Sequence, residues 1–470
     1  MTADKSSLIN HVDLNEELNE LKKLYAENVY PSLSERRKLL GEIKNVLIKN
    51  EKKFVVALNK DYGYRSEFDS LMLDILPPVL YINYVSKHIR KWMKKEKRHS
   101  SLILTPSKVE VHFQPLGVVG VVVPWNFPMN LALGPAVSAI GAGNKVMVKL
   151  SEFTPNINKA LIEAFAPFKN HIRFYEGEVE VSSKFTGLPF DHLLFTGSTN
   201  VGRIVAKAAA QNLTPVTLEL GGKSPSIITQ NANLDNAVVN IIMGKIFNSG
   251  QICVSPDYLF IHESLKEEFI SKFVSKVREL YEGDNNNKLT QIINRGHFER
   301  LHSYLLDAEE KGAKVINTLK PKGDTAQIYP TLVTNVAEEM KIMQEEIFGS
   351  LLPIMSYKNL DEVYSYVLSR PRPLALYIMS NDTKEANEII MNTHSGGVCV
   401  NDTLMHVGAD DAPFGGIGDS GMGQYHGKEG FLTFSKSKTV LRSKSFVPKN
   451  WFLLKYRDGF VGILRKVFLR

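Results

Sequence analysis

The sequence predicts an α/β protein built on doubly wound parallel sheets, and three observations predict it. From Val109 onward, short β-branched runs alternate with helical stretches, the pattern imposed by parallel sheets covered on both faces by helices. At Phe195-Thr-Gly197-Ser198 a strand-like run enters a glycine turn and a helix follows at once. The 470 residues exceed what one hydrophobic core can organise, so two or three domains are expected. With 43% hydrophobic and 23% charged residues, the composition is that of an ordinary globular protein.

Taken in order, Leu14 to Asp61 and Asp69 to Met93 read as amphipathic helices with few breakers. Val118 to Val123 is a strand, Leu131 to Ile140 a helix and Lys145 to Leu150 a second strand. The unit recurs at His171 to Tyr175, and at His192 to Thr196 with the Ala-rich helix Val201 to Gln211. A second α/β region opens after Gly221-Gly222. It holds the strand Ser226 to Thr229, an Asp235-led helix, Cys253, the strand Tyr258 to His262 and the helix Leu265 to Glu282. Asp284 to Lys288 is a polar surface break. The Gly-rich stretch Pro413 to Gly430 then leads to a strand at Thr433 to Leu441.

Two cysteines, Cys253 and Cys399, cannot build a disulfide framework, which points to a reducing, cytoplasmic setting. Met1-Thr-Ala-Asp-Lys lacks the pattern of an export signal, and no apolar run approaches the ~20 residues of a spanning helix. The net charge of +7 is mild, but Lys87 to His99 holds seven Lys or Arg against one Glu. No nucleic-acid motif accompanies it, and a solvated helix end is the plainer reading. At the tail, Phe460, Ile463, Leu464, Val467 and Phe468 share one helical face beside Arg465, Lys466 and Arg470. That stripe suits a membrane surface, the protein's own body or a second subunit.

Cys253 closes Phe247-Asn-Ser-Gly-Gln-Ile-Cys253, a glycine-bearing turn after a helix. Such a bend can offer free backbone N–H groups to a thiolate nucleophile, whereas a lone cysteine can also be a small buried hydrophobe. Two apparent phosphate motifs fail on context. Gly416-Ile-Gly418-Asp-Ser-Gly421 has no strand before it, and Gly222-Lys223-Ser224 has Thr217 where a P-loop needs its first glycine. The turn Gly197-Ser198 with Gly202 in the following helix is the better anion site, since a helix N-terminus opens there.

Seven segments then coincide in order: Pro124-Trp125-Asn126-Phe-Pro128, Lys149-Leu-Ser-Glu152-Phe-Thr-Pro155, the Gly197 turn, Leu218-Glu219-Leu-Gly-Gly-Lys223-Ser-Pro225, Cys253, Glu346-Ile-Phe348-Gly349 and Pro413-Phe-Gly-Gly416. Together they resemble the aldehyde dehydrogenase superfamily over nearly the whole chain. Ile292-Ile-Asn294 to His297-Phe-Glu-Arg-Leu301 is most similar to its class 3 branch, which includes fatty and coniferyl aldehyde dehydrogenases. The resemblance implies that Cys253 attacks the aldehyde, that the Asn126 amide and the Cys253 N–H hold the oxyanion, and that Glu219 is the base that frees the acid. Read on its own, Glu219 has a less favoured alternative as a helix cap or a salt-bridge partner of Lys223.

For the cofactor, the resemblance implies that Lys149 holds the adenosine ribose, Gly197 and Ser198 the pyrophosphate, and Glu346 and Phe348 the nicotinamide portion. Trp125, Glu152 and Gly202 complete the expected cofactor set. Glu152, close to Lys149, should repel a 2′-phosphate, which favours NAD with NADP as the alternative. No metal ion and no nucleic-acid partner are expected. The implied fold is aldehyde dehydrogenase-like: a Rossmann-type NAD(P)-binding domain at 1–99 and 116–219, a catalytic domain at 220–429, a small β oligomerisation arm at 100–115 and 430–441, and a basic amphipathic tail at 442–470. The arm would join a neighbour's sheet edge, giving a homodimer. The implied reaction is NAD(P)-dependent oxidation of a hydrophobic, long-chain or aromatic aldehyde to its acid. Ser249 departs from the alanine common among relatives, and Gly283 to Leu289 is shorter and richer in asparagine than the family pattern.

Overall fold

A computed structural model describes residues 13–101, 104–282, 288–320, 325–444 and 448–469. Three sheets organise the chain. The first has six strands in the order Gly421–Met422, Val216–Leu220, His192–Gly197, Val118–Val122, Lys145–Lys149, Ile172–Tyr175. All neighbours are parallel except the short edge strand Gly421–Met422. Strand order reverses on either side of Val118–Val122, and at such a switch point the following loops diverge and leave a crevice.

Both faces of that sheet are covered, which is why its central strand is apolar throughout. Val119 and Val121 pack into one core with the helices Leu33–Lys49, Leu76–Trp92 and Asn130–Ala142. Val118 and Val122 point the other way, toward Leu14, Leu18 and Leu21 of Leu14–Glu27 and Val205 of Thr199–Ala210. The alternation is the period of two that a strand requires.

The second sheet has seven strands, in the order Lys314–Asn317, Thr331–Thr334, Leu351–Tyr357, Tyr258–His262, Pro225–Ile228, Ala375–Met379, Gly397–Val400. It is parallel apart from its first pair. The third is an antiparallel arm in which Lys108–Pro115 lies between Glu96–Arg98 and Ser435–Arg442.

The strands and helices expected between Val118 and Tyr281 are present to within about two residues, the usual margin at element ends, whereas the helices Pro155–Phe165 and Val179–Thr186 and the strand Val216–Leu220 had no counterpart in the sequence expectation. Three differences concern the late chain and the arm. Glu96–Arg98, ahead of the expected start of the arm, is its outer strand. Gly427–Thr433 is a helix, and the late strand begins only at Ser435. Gly416 to Gly421, a motif rejected as a nucleotide loop, is folded instead against the edge of the first sheet, where Gly421 pairs with Glu219. The polar break at 284–287 and parts of the arm loop and tail lie outside the described residues.

Candidate active site

A cleft of about 250 Å³ opens at the carboxyl ends of Val118–Val122, His192–Gly197 and Val216–Leu220. Pro124, Trp125 and Asn126 enter it from the first strand's exit, Thr196, Gly197 and Ser198 from the second, and Glu219, Leu220 and Gly221 from the third. Cys253, Glu346 and Phe348 line the opposite side, with His297 and Arg300. The sequence-derived residues Trp125, Asn126, Gly197, Ser198, Glu219, Cys253, Glu346 and Phe348 therefore share one cavity.

Lys149, Glu152 and Gly202 lie outside its lining. The Lys149 ammonium is buried at the carboxyl end of its strand and donates to the carbonyls of Leu150 and Gly177, both at 2.6 Å. Glu152 is exposed on the next turn. Gly202 sits inside the helix Thr199–Ala210, where an added Cβ would come within 2.6 Å of the Leu220 side chain. Its role in the structure is close packing of helix on sheet. The helix itself is capped by the Ser198 hydroxyl, which accepts from the Val201 N–H at 3.4 Å. The N–H groups of Thr199 and Asn200, in the first turn, have no intrahelical partner by the geometry of a helix.

The loop departs from helix geometry just before Cys253. Asn248, Ser249 and Gly250 follow one another at φ 47, 56 and 69, left-handed values that cost non-glycine residues roughly 1–2 kcal/mol each. At Gly250 a Cβ would meet the Gly349 carbonyl oxygen at 2.4 Å. A buried polar network holds the turn. The Asn248 amide donates to the carbonyls of Asn126 and Gln251, each at 3.2 Å, and its backbone N–H donates to Asp69 at 3.3 Å. The Ser249 hydroxyl donates to the Thr290 carbonyl, and the Thr290 hydroxyl donates to Asp69. The Gln251 amide donates to the carbonyls of Asn248 at 2.9 Å and Gln291 at 3.1 Å. In turn the Asn126 amide donates to the Gln251 carbonyl at 3.2 Å. Asn126 and the turn that leads to Cys253 thus belong to one hydrogen-bonded assembly.

The Glu346 loop is clamped as firmly. Arg300 donates to the carbonyls of Glu346 at 3.1 Å and Ile347 at 2.8 Å. Asp257 accepts the Ile347 N–H at 2.8 Å. Lys223 pairs with Asp257 and reaches the carbonyls of Ile342 and Glu345, so the ion pair imagined with Glu219 is not formed. Phe348 packs edge-on against Trp125 at 5.4 Å between ring centroids, and His297 lies 5.1 Å from the same indole.

The electrostatics explain what this centre is prepared to do. Glu219 is 3% exposed, and neither carboxylate oxygen has a hydrogen-bond partner among the described residues. Burial pushes its pKa well above the ordinary range. Glu346 is pushed up to about 7 by burial and by Asp257, opposed by a backbone hydrogen bond from Gly222 and by Lys223 and Arg300. Burial, then Glu346 and Glu219, push the Cys253 thiol up to about 12, while the N–H groups of Cys253 and Val254 pull it down. His297 is lowered to about 4 by burial and Arg300. Burial thus favours the neutral forms of both carboxyl groups and of the Cys253 thiol. The Asn126 Oδ1 and Thr196 Oγ1 atoms, which also line the cleft, are buried without a partner among the described residues, an uncommon condition for buried polar atoms.

Sequence reasoning gave no role to His297 or Arg300. Their i, i+3 spacing behind the Asn294 cap puts both on one face of Arg295–Glu310 and was the available signal. Tyr62, whose hydroxyl donates to the Asn126 carbonyl at 3.0 Å, carried none.

Comparison with known proteins agrees with the geometry. The aldehyde dehydrogenase family profile matches residues 14–440. A Pseudomonas aeruginosa protein named "Probable coniferyl aldehyde dehydrogenase" is 43% identical over 97% of this chain and 98% of its own length. Mouse aldehyde dehydrogenase family 3 member A2 is 37% identical over 86% of this chain and 84% of its own length. The solved structure of Staphylococcus aureus AldH in a substrate-bound state superimposes with a TM-score of 0.88 at 35% identity, covering 95% of this chain and 99% of that one. With this fold, this cleft and these relatives, the chain belongs to the aldehyde dehydrogenase family of oxidoreductases, in a branch resembling class 3.

Proposed function

We propose that the enzyme oxidises a hydrophobic aldehyde, long-chain or aromatic, to its carboxylic acid with NAD, NADP serving as an alternative. The observation that carries this reading is the partnerless, buried Glu219 carboxylate in the same cleft as Cys253. A carboxylate left unpaired in an apolar site is costly to fold, and its use is to hold a proton acceptor of raised pKa beside a reacting group.

The Cys253 sulfur adds to the aldehyde carbon, giving a thiohemiacetal whose oxygen is stabilised by the Asn126 amide and the Cys253 N–H. A bound dinucleotide would supply the two-electron oxidant that takes hydride from that carbon, and with the thiol's proton released to solvent a thioester remains. Glu219 then takes a proton from water as that water cleaves the thioester, releasing acid and restoring the thiol. Residues that fit the dinucleotide are the helix N-terminus at Ser198, the Trp125 and Phe348 rings, Glu346, and Lys149 at the neighbouring strand end. Leu131 lines the cleft with Cys253, and Phe127, Phe247, Val407 and Phe414 belong with Cys253 to one hydrophobic cluster, surroundings that favour an apolar aldehyde. We assign the arm strands at 96–98, 108–115 and 435–442 to homodimer formation, because Ser435–Arg442 is an open sheet edge. Residues 442–470 are the element through which a peripheral membrane contact would be made.

The test is absorbance at 340 nm with NAD or NADP against a panel of aldehydes, with product identified by mass. Turnover that rises with chain length or with an aromatic group, and is lost in Cys253→Ala, is expected. Full turnover by Cys253→Ala, or preference for small polar aldehydes, refutes the reading.

A further inference from the structure

Beyond the family's matched residues, which end at 440, the chain carries an apolar surface that the enzyme's own body does not cover. The helices Pro448–Lys455 and Arg457–Phe468 meet at Tyr456. Trp451 and Leu454 are each 70% exposed, and Ile463, Val467 and Phe468 are more than half exposed. The two helices touch each other through Phe452, whose ring lies 4.7 Å from Tyr456 and 5.7 Å from Phe460. Packing on the protein's own body, one of three readings the sequence left open, is therefore not what the structure adopts. Contiguous apolar exposure of this kind marks an interaction surface.

Charge and shape select the occupant. At about 100° per residue, Phe460, Val461, Ile463, Leu464, Val467 and Phe468 fall within an arc of roughly 160°. Asp458, Arg465, Lys466 and the two glycines occupy the rest, and Arg457 alone interrupts the face, at its first position. Among the described side chains the two helices and Tyr456 carry Lys455, Arg457, Arg465 and Lys466 against Asp458. A second copy would set these like charges against each other, whereas an anionic surface complements them. Twelve residues make a helix of about 18 Å, far short of the ~30 Å hydrocarbon core, and no helix among the described residues is long and apolar enough to cross a membrane. A basic, strongly two-sided helix too short to span lies in the plane of the interface. Trp451 and Tyr456 are the residue types that settle at headgroup depth. Alone in water a helix this short, with Gly459 and Gly462 inside it, is marginal and gains by resting on a surface.

We propose that residues 448–469 form an in-plane anchor that docks the enzyme on an anionic lipid bilayer, whichever aldehyde it oxidises. The test uses the purified full chain with phosphatidylcholine vesicles and with vesicles that also contain phosphatidylglycerol. Pelleting with the anionic vesicles is expected, and the double variant Ile463→Glu/Leu464→Glu should partition at least about tenfold less, since lost apolar insertion scales with buried carbons. Arg465→Glu/Lys466→Glu should lose the preference for anionic lipid, and raised salt should mimic it. Of the three tryptophans, Trp92 and Trp125 are 6% and 9% exposed and only Trp451 faces water. A blue shift of emission on adding anionic vesicles, absent in Trp451→Phe, reports insertion of this segment in particular. Unchanged turnover on a water-soluble aldehyde shows that the variants are folded. Failure to pellet with either vesicle, equal pelleting with both, or a particle mass that falls in Ile463→Glu/Leu464→Glu would overturn the proposal, the last by assigning the face to a second copy.

Discussion

Replacing Glu219 by Gln keeps the side chain's shape and removes the group that is to accept a proton. Both its oxygens are buried without a hydrogen-bond partner among the described residues, so no hydrogen-bonded neighbour stands ready to take over. Loss of a positioned general base lowers a proton-transfer step by ~10²–10⁴-fold, about 3–5 kcal/mol at 1.36 kcal/mol per tenfold. Only deacylation should suffer. Stopped-flow absorbance should therefore show a burst of reduced cofactor close to one equivalent of enzyme, followed by a steady state slower by that factor, with the acyl-enzyme visible in the intact mass. Stability should move the other way. The folded-state pKa of Glu219 is raised above its ordinary 4.5, so its contribution is intact below that value and is lost as pH rises through the folded-state pKa. Glu219→Gln lacks this loss and should melt progressively higher than wild type as the pH is raised above 4.5. Steady-state turnover within threefold of wild type, or a burst lost together with the steady state, would refute the assignment.

Other consequences can be measured independently. Alkylation of Cys253 in the cofactor-free enzyme, with Cys253→Ala as blank, should keep rising with pH past 9.0, because the thiol is pushed up from there to about 12 by burial and two carboxylates. A plateau below that pH would contradict it. Ser249→Ala removes the donor to the Thr290 carbonyl inside the left-handed turn, and should cost about 1 kcal/mol of stability together with a fall in kcat. Unchanged melting and unchanged kcat would show that the turn does not need this hydrogen bond. Glu152→Gln relieves like-charge repulsion near Lys149, on which Glu152 acts electrostatically, and should raise kcat/KM for NADP relative to NAD by about tenfold, or 1.4 kcal/mol. An unmoved ratio would clear Glu152 of any part in cofactor choice.

Much of this molecule was legible because the relevant information is local. The alternation at Val118 to Val122 and the glycine turn at Gly197 depend on a few adjacent residues, and both appear in the structure where the sequence implied them. The seven short segments likewise named most of the cleft's walls, since a turn that must present one side chain tolerates few residue types. Strands from Lys314 to Val400 were not assigned from sequence, because short buried apolar runs look alike whether strand or helix.

Sequence alone determined the α/β alternation, the glycine turn before Cys253 and the amphipathic stripe of the tail. Tertiary structure alone decided that Lys223 pairs with Asp257 and leaves Glu219 unpartnered, that Lys149 spends hydrogen bonds on two carbonyls outside the cleft, and that His297 and Arg300 stand inside it. It also decided that Gly416 to Gly421 closes a sheet edge and that the tail's apolar face stays in water. Periodicity and turn preference are carried by neighbouring residues along the chain. Desolvation and the choice of an ionic partner depend on segments that meet only after folding, and those two quantities set the chemistry of this site.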